Sequence, residues 1–150
     1  MKIEELHTQA MDLAEQADFL KMQGKDEEAH SLYTQSLDAE RKAAYDARNQ
    51  NFGEPTESVL FRSAASLAYS LQDYREAERL ICMGLAGNPP HEIANELRDL
   101  YDQVSMERNL ILLNTEIKEK QQEEVTITIP IRERNLLKVL VRKFGWACMF

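Results

Sequence analysis

Cysteine is scarce in this chain. Cys82 and Cys148 are the only two, too few for a disulfide framework, and the pattern predicts reduced thiols and a cytoplasmic setting. Five glycines and four prolines in 150 residues argue against an all-β or loop-rich fold. No stretch approaches the roughly 18 apolar residues of a membrane helix, and MKIEELHTQAMDLAEQ places charges where a signal peptide needs an apolar run. The expectation is a chain with no membrane association. His7, His30 and His91 are scattered, without the paired spacing that metal ligation needs, and His7 and His30 read as outward-facing. His91, at a helix start, stands a turn and a loop away from Cys82, so no Cys–His nucleophile forms. Glycine-rich phosphate loops and nucleophile elbows are absent too. No metal, no cofactor and no enzymatic reaction are therefore expected.

What is present is charge, unevenly placed. Residues 125–150 hold five Lys or Arg against one acid, a net +4, so the total of −8 leaves −12 on the other 124 residues. The acidic body disfavours nucleic acid and anionic lipid at long range.

The second abundant signal is helical periodicity. Ile3, Leu6, Ala10, Leu13, Ala17 and Leu20 step by three or four, one stripe of an amphipathic helix that Gly24 is placed to end. Asp26 opens a second helix with Ala29, Leu32, Tyr33, Ser36 and Leu37 as its stripe, continuing through Ala43 and Ala44 until Asn49–Pro55 breaks it. A third buries Leu60, Phe61, Ala64, Ala65, Ala68 and Leu71, and Asp73 begins a fourth carrying Ala77, Leu80, Ile81 and Leu85. After Gly87-Asn88-Pro89-Pro90, Ile93, Leu97, Leu100 and Val104 carry a fifth to about Ser105.

The first two helix pairs repeat. Leu13–Leu37 aligns with Phe61–Leu85 at an offset of 48 residues, placing Ala17 on Ala65, Ala29 on Ala77, Leu32 on Leu80 and Tyr33 on Ile81. Small residues at a crossing let two helix backbones approach closely, and larger ones seal the flanks. In these positions, and in the linking segments QGKDEEA and LQDYREA, the pairs resemble tetratricopeptide (TPR) repeats. Pro89 stands where that motif closes. The period is stretched from the family's length of about 34 by a long second helix and the Asn49–Pro55 loop. The stretch Glu54–Leu100 is also similar to uncharacterised bacterial repeat proteins. The resemblance implies a mainly α fold: two TPR-like antiparallel helix pairs plus a capping helix over residues 1–106, forming a right-handed α-solenoid. Residues 107–124 read as a connector, with 107–117 compatible with helix or strand. Residues 125–150 read as a strand–helix–tail unit, since Val125–Ile131 alternates strictly and Arg134–Phe144 is helical in pattern.

The resemblance also implies function: a non-enzymatic adaptor or scaffold binding a protein or peptide partner. The first helix of each pair would line a concave face, with Asp18, Lys21, Arg62, Ser66 and Tyr69 on it. Exposed Arg and Tyr are the kind of residue that anchors partners, but Arg62 pairing with a neighbouring acid and Tyr69 packing on the next helix fit equally well. Ala14 and Asp18 stand where the carboxylate-clamp members of the family need Lys and Asn, which disfavours that ligand class. A second docking region is the C-terminal unit, with Arg134, Lys138, Arg142, Trp146 and Phe150. Its edge strand and apolar end suggest a homo-oligomer. Its charge suggests, as an alternative, a nucleic-acid-linked or toxin-neutralising regulator.

Overall fold

Five helices follow in chain order among the described residues: α1 (Ile3–Met22), α2 (Asp26–Asn49), α3 (Thr56–Ser70), α4 (Tyr74–Leu85) and α5 (His91–Gln122). This computed structural model describes residues 2–122, and side chains up to residue 115. The chain is mainly helical, with no strand among the described residues. The expected strand–helix appendage over 125–150 lies outside them.

The sequence signals end the helices for identifiable reasons. Gly24 takes φ +75°, a left-handed conformation that glycine adopts without a Cβ penalty, and the chain turns there into α2. Asp73 caps α4 by accepting a hydrogen bond from the Glu76 amide at 3.1 Å. At α3 the Glu54 carboxylate accepts from the Ser58 amide at 3.1 Å. Asp26 is the first residue of α2, preceded by Lys25, and its side chain makes no cap.

Successive helices run antiparallel, and the side chains that join them say so. Between α1 and α2, His7 meets Glu40, Ala10 meets Ser36 and Asp18 meets Tyr33, so the residue numbers fall on one helix as they rise on the other. Arg48 meets Glu57 and Tyr45 meets Phe61 between α2 and α3. The Gly84–Leu97 approach and the Glu78–Arg108 pair do the same between α4 and α5.

One core runs through these contacts. Ala10, Ala17, Ala29, Ala64, Ala65, Ala68 and Ala77 are all buried, so backbones pass close at each crossing. Phe61, Leu80, Ile81, Leu97 and Val104 supply the bulk. The extra length of α2 adds to this core, because Ala43, Ala44 and Ala47 have no exposed surface.

One expectation is corrected. The fifth helix does not stop near Ser105 but runs to Gln122, so 107–117 is helical. No Pro or Gly interrupts it, and its apolar residues serve helical spacing as well as strand spacing. The chain divides into two compact units, Met1–Leu113 and Asn114–Phe150, and α5 crosses the division.

Candidate functional site

The residues anticipated on the first helix of each pair fall into two groups in the structure. On α1, Asp18 accepts a hydrogen bond from the Tyr33 hydroxyl of α2. Lys21 places its Nζ 6.0 Å from the centre of the same ring, at the edge of cation–π range. Burial, then the Asp18 hydrogen bond and charge, push the Tyr33 hydroxyl up to about 12. Tyr33 thus stays a neutral donor that fixes Asp18.

On α3, Arg62 Nη1 pairs with Glu96 of α5 at 2.6 Å. Its Nε is buried and has no hydrogen-bond partner among the described residues. Ser66 is exposed and its hydroxyl donates back to the Arg62 carbonyl at 3.1 Å. Tyr69 packs on Tyr74 of α4, with ring centres 5.7 Å apart and planes tilted by 57°. Both of the intramolecular engagements weighed for Arg62 and Tyr69 are therefore made. Asp18, Lys21 and Ser66 are exposed, whereas Arg62 and Tyr69 are half-buried. Arg134, Lys138, Arg142, Trp146 and Phe150 lie outside the described residues.

Sequence reading missed the residue at the centre of this region. Glu40 of α2 is fully buried, yet it is a carboxylate. His7 Nδ1 lies 3.0 Å and 2.9 Å from its two oxygens. Ser63 of α3 adds a hydrogen bond and Arg62 a nearby positive charge. Desolvation outweighs these partners and raises the Glu40 carboxyl above its ordinary value. His7 is thereby corrected from outward-facing to a helix-joining contact. The signal was available: Glu40 follows Tyr33, Ser36 and Leu37 and precedes Ala43 and Ala44, in phase with the buried stripe.

A raised carboxyl has a definite linkage sign. The folded state holds the Glu40 proton more tightly than the unfolded chain does. Its contribution is therefore fully present below the unfolded value and is lost as pH rises through the folded one. Glu40→Gln keeps the shape but removes the titration. The variant should gain stability relative to the parent as pH rises from the ordinary carboxylate range toward neutrality. Paired thermal melts across that range measure it, and a constant difference would mean Glu40 is not so perturbed.

Charge also fastens α4 to α2. Burial alone would raise Glu76, but hydrogen bonds and charge from Arg79 at 2.7 Å and Arg41 at 3.4 Å outweigh it and hold the carboxyl below its usual range. Cys82 on α4 is exposed. Among the described residues no group of three His, Cys, Asp or Glu side chains is placed to hold a metal ion. No helix among them is long and apolar enough to cross a membrane.

Comparison with family models, with curated proteins and with solved structures finds no match to this chain.

Proposed function

We propose that this chain is a non-enzymatic protein-interaction module, a short TPR-like right-handed solenoid that presents the first helices of its two pairs to a protein or peptide segment. The observation that carries the reading is the convergence on Glu40. His7 reaches it from α1 and Ser63 from α3, so the first helices of both pairs meet one point of α2. Two aligned pairs with small residues at their crossings support the same architecture. A preformed surface of this kind suits an extended or helical segment, because little ordering cost remains at binding.

Lys21 and Ser66 test the surface better than Arg62 and Tyr69, which also hold helices together. Lys21→Glu with Ser66→Arg changes charge and bulk at two exposed positions and should leave the melting temperature within a degree or two, since such surface changes cost at most about 0.5 kcal/mol. Proteins retained on the immobilised chain from a cell extract should be lost at least in part on the double variant. An unchanged set would remove the first-helix surface from the proposal.

A further inference from the structure

The outward side of α1 carries a long, shallow hollow. Asp12, Glu15, Gln16, Phe19 and Leu20 line one part of it, together with Leu32 of α2. A second part meets the first at Asp12 and Gln16 and adds Glu4, Glu5 and Leu13. The apolar floor is open, for Leu13, Leu20 and Leu32 are half-buried and Phe19 is 62% exposed. A phenylalanine left to water beside three leucines marks a contact surface.

Charge specifies the occupant. Glu4, Glu5, Asp12 and Glu15 are all exposed along the hollow, and among the described residues no lysine or arginine lines it. Elsewhere arginines answer the acids: Arg41 pairs with Asp38, Arg48 with Glu57, Arg62 with Glu96 and Arg108 with Glu78. The acids of the hollow make no such pair among the described residues. Uncompensated carboxylates beside an apolar floor repel a second acidic copy and attract a partner that alternates cations with apolar side chains.

The lining also sets the partner's backbone. Each wall is the side of a helix whose own N–H and C=O groups are already paired, so an extended segment finds no main-chain partners here. A helix satisfies its own backbone and needs only side chains. From Glu4 to Leu20 the hollow covers sixteen residue steps, about 24 Å at about 1.5 Å each, the length of a helix of about four turns.

We propose that the hollow binds a basic amphipathic helix of another protein, its apolar side chains on Phe19, Leu20 and Leu32 and its lysines or arginines against Asp12 and Glu15. At about 100° per residue, Asp12 and Gln16 stand about 120° and about 160° round α1 from Asp18. This side is therefore distinct from the first-helix surface above, and the proposal does not rest on that reading.

The probe is a labelled peptide of about 18 residues, leucine and lysine in helical period, titrated with the full chain and followed by fluorescence anisotropy. The expected result is saturable one-to-one binding that weakens with salt. A scrambled peptide of the same composition presents no apolar face and should bind about tenfold more weakly. Asp12→Lys with Glu15→Lys should weaken binding about tenfold, and Phe19→Ala about fivefold. Asp99→Lys with Asp102→Lys makes the same change in net charge at exposed positions of α5, and should leave affinity within about twofold. Equal losses in the two charge variants, equal binding of the scrambled peptide or no loss with Phe19→Ala would mean attraction to the acidic body at large, and each overturns the proposal. A parent that ignores the peptide overturns it too. In that case, a dimer by sedimentation that Asp12→Lys with Glu15→Lys dissociates assigns the hollow to a second copy. Peptide uptake once Arg134, Lys138 and Arg142 are changed to Glu assigns it instead to the chain's own basic segment. Should the Asp12→Lys, Glu15→Lys variant lose its helicity by circular dichroism, Asp12→Asn with Glu15→Gln decides. A loss of about threefold is expected there, and none rejects the contact.

Discussion

Replacing Phe61 with alanine should destabilise the protein by about 3–5 kcal/mol. The ring is fully buried where α2, α3 and α4 come together. Tyr45 meets it edge-on, with centres 5.3 Å apart and planes at 89°, and the Arg48 guanidinium lies 4.4 Å from its centre. That guanidinium also donates to the Met83 carbonyl at 2.6 Å, so the ring supports a tie from α2 to α4. Removing it loses the aromatic contacts and opens a cavity. The neighbours Ala64, Ala65 and Ala68 are too short to close it. Chemical denaturation of the variant checks this. A cost below about 1 kcal/mol would mean that the junction relaxes in a way this packing does not allow.

Leu97→Ala should cost about 2–5 kcal/mol, toward the upper end. The side chain is fully buried and fills the hollow that Gly84 leaves in α4: a Cβ built on Gly84 would stand 3.0 Å from Leu97 Cδ1 and 3.2 Å from Phe61 Cβ. With leucine gone, a glycine wall offers no side chain to move into the space. The check is a double-mutant cycle. Gly84→Ala should be less favourable in the parent than in the Leu97→Ala background, where room exists for the added methyl. Additive effects would separate the two sites.

The helices themselves were legible because their stripes are strict and their ends carry chemistry. Gly24 and Asp73 do at the backbone what their residue types allow. The end of α5 was not legible, since Leu110–Leu113 is a short apolar run that fits helix and strand alike and no breaker follows it. On the candidate surface, residue identity gave two options for Arg62 and Tyr69, and only the positions of Glu96 and Tyr74 show that the intramolecular contacts are made. Glu40 was overlooked because charged residues on an acidic chain read as solvated. Phase along α2, not composition, was the clue to its burial.

The unbroken run of α5 from Ala94 to beyond Leu113 makes its length as constrained as its composition. Inserting or deleting one residue after Val104 would turn the side chains that follow it, up to Leu113, by about 100° about the helix axis and shift them by about 1.5 Å. Met106, Leu110 and Leu113 would then swing off the side opposite Leu97 and Leu100, even with every residue type retained. The geometry of this helix is therefore a matter of counting. A substitution acts at its own position, whereas a change in number would re-aim each side chain from there to Leu113 at once.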